Sequence, residues 1–504
     1  MRTCAQSEAL DTFLRRTRTV QDVIPPTGVN ARGRRVARGI VVLLLGMLPS
    51  SPVAAGVTSR VSISSQGTEA NGGSSAPAVS RAARLVAFAS DAANLVTGDT
   101  NSTTDVFVRE RETNVTERVS VASDGSQGNG ASLAPAVSAN GRFVAFTSLA
   151  SNMVPGDTND ASDVFVRDRR TGTTERVSVA SDGTEGTVGP QLAIGSVRPA
   201  ISADGRFVAF VSDASGLTPE TPPQCVLYQG PLGTITGNCT QVFVHDRASA
   251  VTERASVASD GTGADTDSSR FDRPALSASG TQVAFQSAAD NLVADGLGAG
   301  VFVRDRRAGT TTRASGDFDG LQGDIHSSSP ALSARGRFVA FVVTAFNLMP
   351  GDAMICEPVG SNPSVCGDVY VYDRRKGTSE CVSVDDNGVP GNRSSSELDT
   401  PSISGNGRYI AFSSTASNLV PGDTNVCAVP GFAGSGPCAD VFVHDRKTGT
   451  TGRVSVATDG SQASGSSSAP SIASSGKVVA FASFADDLVP GDTNTTSDIF
   501  VRTR

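Results

Sequence analysis

The strongest constraint on the fold is a set of three short phrases that recur seven times in a fixed order. The first phrase is VAF or IAF, centred on Ala87, Ala145, Ala209, Ala284, Ala340, Ala411 and Ala480. The second is DVFVRDR or a variant, beginning at Asp105, Asp163, Gln241, Gly300, Asp368, Asp440 and Asp498. The third is ERVSV or a variant, read at Arg60, Arg118, Arg176, Arg254, Arg313, Cys381 and Arg453. The chain therefore repeats one structural unit seven times.

Each unit contains four short segments with strand character, such as PAVS, RFVAFTS, DVFVRDR and TERVSV in the second unit. Successive VAF phrases lie 56 to 75 residues apart, and turn residues separate the segments. Four strands per period are typical of a propeller blade. VAF and VFV are apolar on both strand faces, as expected when blades stack and bury both faces of each sheet. We therefore predict an all-β, seven-bladed β-propeller.

The order of the phrases also predicts how the ring closes. The third phrase comes first, at Thr58, and the chain stops after the second, Asp498 to Arg504. The last blade thus lacks an outer strand, and pairing Arg60 to Ser64 with Asp498 to Arg502 would supply it and leave no unpaired edge. The predicted propeller covers residues 56–504, with blades in repeat phase at about 57–115, 116–173, 174–251, 252–310, 311–377, 378–450 and 451–504.

Most phenylalanines are explained by this architecture. Sixteen of the 22 occupy repeat positions in VAF, in VFV or IFV, or beside the Gly-Arg turn. Burial of each such ring contributes roughly 1.5 to 3 kcal/mol, so we interpret them as packing between blades. Few rings remain to stack on a sugar or a base.

The phrase SADGRFVAF from Ser202, followed by DVFVRDR-type strands, resembles the WD40-like PD40 repeat of TolB-like propellers. The resemblance covers essentially all of residues 57–504. It implies a propeller fold, and it implies functions such as a periplasmic binding protein or the substrate-gating propeller of a prolyl-oligopeptidase-like peptidase. Two features differ from TolB-like proteins: the sequence has no separate N-terminal α/β domain, and it has seven predicted blades instead of six.

Residues 1–55 have the composition of an export signal. Four arginines (Arg32, Arg34, Arg35 and Arg38) precede the apolar run Gly39 to Leu48, and small residues lead to a cleavage position before Gly56. The apolar run is too short to span a membrane comfortably. The sequence therefore predicts a secreted or periplasmic protein without a membrane span in the mature chain, and it leaves open whether export follows the general or the twin-arginine route.

The charge argues against two classes of partner. The formal net charge is -8, and removal of the signal, with eight arginines and three acidic residues, would leave about -13. An acidic protein repels nucleic acid and anionic lipid, so we expect neither as a partner. We expect a monomer.

Loop lengths distinguish the two ends of the blades. The turns after PAVS and after DVFVRDR are short and share one face, whereas the links from VAF to VFV and from VSV to the next blade share the other. We call these the short-turn face and the long-loop face. Because the length variation lies on the long-loop face, we predict that this face binds the ligand.

Cysteine pairs occur only where the link from VAF to VFV has grown. They are Cys225 with Cys239, Cys356 with Cys366, and Cys427 with Cys438, which we predict to be three local disulfides. Metal ligation is the alternative, but no histidine shares these loops. Cys4 lies in the predicted signal. Cys381 stands where other blades have arginine, and it is either a free thiol or an intermolecular link.

The best candidate site is an oxygen-rich loop that recurs in three blades. Its side chains are Asp99, Asn101 and Asp105; Asp157, Asn159 and Asp163; and Asp492, Asn494 and Asp498. Three such oxygens with carbonyls and water suit calcium, although the glycine and the bidentate glutamate of an EF-hand are missing. Asp and Asn also form Asx-turns without any metal. Calcium is thus the one cofactor that the sequence suggests.

No catalytic residue is predicted. His245 and His444 share a repeat position with Arg109, Arg167 and Arg304, which suggests a solvated strand face, and His326 lies alone in a link. No Gly-x-Ser-x-Gly elbow is present, and the repeats leave no room for a hydrolase domain.

We therefore predict a binding or protein-interaction module whose long-loop face takes a protein, peptide or glycan ligand. One alternative is a carbohydrate-active hydrolase or lyase with a carboxylate pair near the central channel. Another is a structural protein of the cell envelope.

Overall fold

A computed structural model describes residues 56–504 except 190–193, 231–232, 295–297, 316–325, 345–354, 357–363, 397–398 and 429–434. The predicted signal, residues 1–55, lies outside the described residues. The described part forms seven four-stranded antiparallel sheets, called blades 1 to 7 here, and three two-stranded hairpins. Within it, no helix has the length and hydropathy needed to cross a membrane.

Each blade runs from an innermost first strand to an outer fourth strand. The first strand of the chain, β1 (Thr58–Arg60), belongs to blade 7. Blade 1 contains β2 (Ser74–Val79), β3 (Leu85–Ser90), β4 (Asp105–Glu110) and β5 (Val115–Arg118). Blade 2 contains β6 (Ser132–Val137), β7 (Phe143–Ser148), β8 (Asp163–Asp168) and β9 (Thr173–Arg176). Blade 3 contains β10 (Ser196–Ile201) and β11 (Phe207–Ser212), then the hairpin β12 (Gln224–Gly230) and β13 (Gly233–Asn238), then β14 (Gln241–Asp246) and β15 (Val251–Arg254).

The remaining blades follow the same order. Blade 4 contains β16 (Ala275–Leu276), β17 (Gln282–Ser287), β18 (Gly300–Asp305) and β19 (Thr310–Arg313). Blade 5 contains β20 (His326–Leu332) and β21 (Phe338–Thr344), the hairpin β22 (Ile355–Cys356) and β23 (Ser364–Val365), then β24 (Gly367–Asp373) and β25 (Thr378–Cys381). Blade 6 contains β26 (Ser402–Ile403) and β27 (Tyr409–Ser414), the hairpin β28 (Val426–Ala428) and β29 (Ser435–Pro437), then β30 (Asp440–Asp445) and β31 (Thr450–Arg453). Blade 7 contains β32 (Ser467–Ile472), β33 (Val478–Ser483), β34 (Asp498–Thr503) and β1.

Large rings on one blade pack against small side chains on the preceding blade. In blade 1, Phe88 and Phe107 stack with their centroids 5.9 Å apart and contact Ala480 of blade 7. The opposite face of blade 1 receives Phe146 and Phe165 of blade 2. Equivalent apolar clusters occupy all seven interfaces between blades. The prediction that the repeated phenylalanines pack between blades is confirmed.

A closed circle of backbone hydrogen bonds joins the blades on the short-turn face. In the turn after each first strand, one N–H donates to the carbonyl of the equivalent residue in the next blade, at 2.9 to 3.3 Å. The circle runs through Arg81, Ala139, Ala203, Ala278, Ala334, Gly405 and Ser474, and Ser474 donates back to Arg81. Because the seventh bond returns to the first residue, the ring is closed and has seven members.

A second set of contacts joins the blades at the outer edge. A threonine of an outer strand donates from Oγ1 to a carbonyl in the link that leaves the preceding blade, for example Thr116 to Ile63 at 2.6 Å and Thr174 to Val121 at 2.6 Å. Thr252, Thr311 and Thr451 make the same bond. In these blades the link from one blade is therefore fastened to the outer strand of the next.

The predicted closing strand is confirmed. Strand β1 pairs antiparallel with β34, with Ser59 opposite Val501, and Val61 N donates to Ile499 O at 2.8 Å. Thr58 makes the outer-edge bond to Val456 O at 2.6 Å, as threonines do elsewhere in the ring. The strand ends at Arg60, short of the predicted Ser64. The chain then turns towards blade 1, where Thr116 N of β5 donates to Ser65 Oγ at 2.9 Å.

The prediction that His245 and His444 lie on a solvated strand face is wrong. Each is only 6% exposed, and its Nδ1 hydrogen-bonds to an outer-strand threonine, Thr252 at 2.8 Å and Thr451 at 2.9 Å. The link from the preceding blade covers this position, so a side chain here must make buried hydrogen bonds. His326, expected in a link, is instead the first residue of β20 and is exposed.

The closing strand can be tested with a matched pair of core truncations. Val61 follows β1, and Val119 holds the equivalent place after β5; they are 3% and 1% exposed. We expect Val61→Ala and Val119→Ala each to lower the free energy of unfolding by about 2 kcal/mol, because each removes two buried methyl groups and leaves a cavity. Urea titration measures both values. A loss for Val119→Ala with none for Val61→Ala would contradict the closure.

Candidate functional site

The three predicted oxygen-rich loops all lie on the long-loop face. The asparagine of each loop donates from Nδ2 to the aspartate that begins the third strand: Asn101 to Asp105 at 3.1 Å, Asn159 to Asp163 at 3.1 Å, and Asn494 to Asp498 at 2.9 Å. The Oδ1 of the same asparagine accepts a hydrogen bond from the backbone N–H two residues later; in blade 1, Thr103 N donates to Asn101 Oδ1 at 3.2 Å. These loops are therefore Asx-turns that bring the predicted residues together.

An arginine from the outer strand lies among the aspartates. Arg118 Nη1 is 3.1 Å from Asp99 Oδ1 and 3.2 Å from Asp105 Oδ2. The corresponding distances are 3.2 and 3.3 Å for Arg176, and 3.1 and 3.2 Å for Arg60. This is the arginine of the ERVSV phrase, and its guanidinium is a cationic partner of both carboxylates. Each cluster thus ties the loop, the third strand and the outer strand together.

The sequence analysis missed a fifth side chain in each cluster, as well as the arginine. Glu185 Oε2 lies 2.6 Å from Arg176 Nη1, and Glu69 pairs with Arg60 in the same way. Gln127 holds this place in blade 1, where its Nε2 donates to Asp99 at 3.0 Å. Each residue follows the cluster arginine by nine positions, and that constant spacing was the available signal.

Blade 6 contains a related cluster that was not predicted, because its loop is lengthened by the cysteine hairpin. Arg453 lies 3.6 Å from Asp423 and 3.7 Å from Asp440, and Gln462 Nε2 donates to Asp423 at 2.8 Å and to Asp440 at 3.2 Å. In blades 3 and 4 the aspartate of the third strand is replaced by glutamine or glycine, and in blade 5 the arginine is replaced by Cys381.

The clusters of blades 2 and 7 contain three carboxylates for one arginine. In each cluster the three carboxylates place an oxygen within 4.8 Å of one another. Burial, with a further contribution from the charge of Asp163, raises the pKa of Asp157 to about 6. Burial and the neighbouring Asp498 also raise the pKa of Asp492. Both clusters therefore hold more negative charge than their arginine neutralises.

A guanidinium lies between the carboxylates, in the place that a bound cation would take. A calcium ion would take six to eight oxygen ligands at 2.3 to 2.6 Å, so the arginine would have to move away from Asp157 and Asp163 in blade 2 or from Asp492 and Asp498 in blade 7. The calcium site stays a prediction.

Insertions lengthen two of the first-strand segments, which line the central channel. The segment Arg270 to Arg273 in blade 4 and the segment 397–400 in blade 6 each add three residues relative to blade 1. Arg273 Nη1 donates to Pro135 O at 3.2 Å, which joins blade 4 to blade 2 across the interior of the ring. Asp272 accepts from Ser329 Oγ at 3.0 Å, and Asp399 accepts from Ala469 N at 2.6 Å. Both channel acids therefore bind the adjacent blade.

Two predicted disulfides are confirmed on the long-loop face. Cys225 bonds to Cys239 and Cys427 to Cys438, each with a Cα separation of 4.9 Å. They close the hairpins of blades 3 and 6. Cys366 is also disulfide-bonded, whereas the side chain of its predicted partner, Cys356, lies outside the described part.

Cys381 is a free cysteine. Burial raises the pKa of its thiol to about 11, which keeps it protonated and weakly nucleophilic at neutral pH. Within this chain Cys381 forms no disulfide, and the intermolecular link stays a prediction.

No protein-family model matches the sequence, and no curated protein matches it. Similar solved structures include TolB from Acinetobacter baumannii, with 14% identity, a TM-score of 0.36 and coverage of 69% of this chain and 58% of TolB. They also include oligogalacturonate lyase from Vibrio parahaemolyticus, with 11% identity, a TM-score of 0.47 and coverage of 84% and 88%. The propeller domain of the Trilobed protease from Pyrococcus furiosus shows 11% identity, a TM-score of 0.44 and coverage of 86% and 93%. The chain thus spans less than two thirds of the length of that TolB.

The pKa shifts predict opposite pH effects for two substitutions. Because the pKa of Asp157 is higher in the folded chain, its stabilising effect is present at low pH and lost as pH rises through about 6. We therefore expect Asp157→Asn to raise the free energy of unfolding at pH 7.5 by about 1 kcal/mol, after allowance for partial solvation, and by about half as much at pH 5.

Asp168→Asn is the matched control. Hydrogen bonds from Arg142 hold the pKa of Asp168 below its usual range, so its stabilising effect is present above pH 4 and is lost as pH falls further. This variant should destabilise the protein at pH 7.5. Urea titrations of both variants at pH 5 and pH 7.5 measure these effects, and a destabilising Asp157→Asn at pH 7.5 would contradict the charge analysis.

The calcium prediction has its own test. If calcium joins the clusters of blades 2 and 7, millimolar Ca²⁺ should raise the thermal midpoint relative to a chelator, and Asp163→Asn with Asp498→Asn should abolish the rise. An unchanged thermal midpoint of the unsubstituted protein on addition of Ca²⁺ would contradict the calcium prediction.

Proposed function

We propose that this chain is an exported propeller that binds a protein or peptide through its long-loop face. The observation that carries the proposal is a set of exposed apolar side chains on that face which the fold does not require. On that face Phe484 and Leu149 are 64% and 58% exposed, and Phe271, in the blade 4 insertion at the channel, is 80% exposed. Exposed rings and aliphatic side chains of this kind favour contact with another protein.

Comparison among blades shows that two of these residues do not serve folding. Leu149 and Phe484 occupy the same position, directly after the second strand, in blades 2 and 7. Blades 1 and 3 have Asp91 and Asp213 there and form the same sheet. A large apolar residue at this position therefore costs solubility without a gain in packing, which is expected at a binding surface.

The disulfide-closed hairpins extend the same face. Val226 and Val426 lie beside Cys225 and Cys427 and are 57% and 61% exposed. A disulfide restricts a hairpin before binding, so less conformational entropy is lost when a ligand orders it. Disulfides also fit the export that the N-terminal sequence predicts.

Two features favour a protein ligand over a glycan. Most aromatic rings are buried between blades, so few remain to stack on sugars. The carboxylates of the four clusters are engaged with arginine, and Asp272 and Asp399 in the channel bind adjacent blades. A glycosidic acid-base pair would need carboxylates that face a substrate.

The proposal is tested by peptide selection followed by two matched double variants. Leu149→Asp with Phe484→Asp installs the residue that blades 1 and 3 already tolerate, so the fold should persist. We expect peptides selected against the unsubstituted protein to bind this variant at least tenfold more weakly, because the apolar contact is lost. Calorimetric titration measures the affinities, and the unfolding midpoint checks the fold.

The control is Val115→Thr with Val251→Thr on the opposite side of the blades. These valines begin two outer strands at a position where blades 2 and 4 have threonine, and each is 46% exposed. This control should leave peptide affinity unchanged. Peptide binding that is insensitive to Leu149→Asp with Phe484→Asp, or turnover of a polysaccharide panel, would overturn the proposal in favour of another face or an enzyme.

A further inference from the structure

A cavity of about 400 Å³ opens on the short-turn face between blades 4 and 5. Four arginines line it: Arg335, Arg337, Arg374 and Arg375. Gln282 and Thr312 of blade 4 and Tyr372 of blade 5 also line the cavity. Other blade interfaces show what fills the equivalent space.

At three other interfaces an aromatic ring fills this space and receives an arginine of the following blade. Arg247 lies over the Phe143 ring at 4.3 Å, Arg306 over Phe207 at 4.5 Å, and Arg446 over Phe338 at 4.4 Å. The residue of blade 4 at the ring position is Gln282, and the arginine of blade 5 that would cover it is Arg374. The smaller amide leaves room that a ring occupies elsewhere.

The same three arginines also pair with a glutamate of the preceding blade. The pairs are Arg247 with Glu175, Arg306 with Glu253, and Arg446 with Glu380. Blade 4 has Thr312 at the glutamate position. Like those arginines, Arg374 donates to the glycine carbonyl of the preceding turn, Gly336 O at 3.0 Å. Unlike them, it has no carboxylate of the described residues within ion-pair distance.

A third change adds positive charge. Arg335 stands in the turn where blades 2, 3 and 6 have Asn140, Asp204 and Asn406, whose side chains accept a backbone N–H of the turn. Arg335 is exposed, so its guanidinium is free to reach a ligand at the cavity. It is the only cation at this position in the seven repeats.

Two carboxylates belong in the charge balance. Asp373 is held by Arg337 through two hydrogen bonds of 2.9 and 2.6 Å. Asp305 accepts from Ala308 N at 2.9 Å and from Gln282 Nε2 at 3.3 Å, and it is close enough to act electrostatically on Arg374. Four arginines against two aspartates leave a formal excess of two positive charges around the cavity.

We propose that this cavity binds an oxyanion group, namely a carboxylate, sulfate or phosphate, in the place that a glutamate side chain occupies at other interfaces. Planar guanidinium groups donate paired hydrogen bonds to such groups, and the Tyr372 hydroxyl adds a further donor. The volume is sufficient for a small ligand that carries the anion. This site lies on the face opposite to the long loops, so it does not depend on the proposed protein-binding role.

The test restores the common residues of the repeat. Gln282→Phe with Thr312→Glu should fill the cavity and neutralise Arg374, and because other interfaces carry these residues the fold should persist. Phosphate, sulfate and acetate are each added to the unsubstituted protein at constant ionic strength, with chloride as the reference. We expect at least one of the three to raise the thermal midpoint above chloride and to show saturable heat on titration.

The variants define the outcomes. Gln282→Phe with Thr312→Glu should abolish the anion effect, and Arg335→Asn should weaken the affinity at least fivefold. The matched control, Gly452→Glu, installs the same glutamate at another interface and should leave binding unchanged. Phosphate or sulfate binding without acetate binding identifies a tetrahedral anion, and the reverse identifies a carboxylate. Equal effects of all four salts, or an anion effect that persists in the filled variant, would overturn the proposal.

Discussion

The structure depends on a size match between successive blades. Phe88 and Phe107 of one blade require the small side chains of the preceding blade, and the small side chains on its other face require the rings of the next. A single blade with this pattern cannot bury both faces, so each blade depends on its interfaces with both neighbours. Every blade has both neighbours because the seventh blade packs against the first. The closed circle of backbone hydrogen bonds on the short-turn face shows this closure.

Much of this architecture could be predicted because strand patterns and turns are local properties of the sequence. The seven blades, the closing strand and the packing of the phenylalanines follow from the phase of the phrases. The burial of His245 could not be predicted in the same way, because a link from another blade covers it. The arginine among the aspartates was also missed, since Arg118 lies 13 residues beyond Asp105 and reaches it only after the outer strand folds back.

Seven copies of one unit provide an internal reference for function. A residue type shared by most blades, such as the cluster arginine or the buried ring, is explained by its contacts within the fold. A residue that differs from the common type in one or two blades, with no gain in packing or hydrogen bonding, needs another explanation. Leu149 and Phe484 on the long-loop face, and Gln282 and Thr312 on the short-turn face, are of this second kind. The two proposals rest on these departures and concern opposite faces of the ring.

Closure of the ring by β1 is the central claim, and amide hydrogen exchange tests it most directly. Val61 N donates to Ile499 O at 2.8 Å, as Val119 N does to Val106 O at 2.8 Å and Val177 N to Val164 O at 2.9 Å within continuous blades. If β1 completes blade 7, the Val61 amide should be protected as strongly as those of Val119 and Val177, because all three open only with loss of a blade interface. Exchange of Val61 at the rate of an exposed loop, while the other two stay protected, would contradict the account.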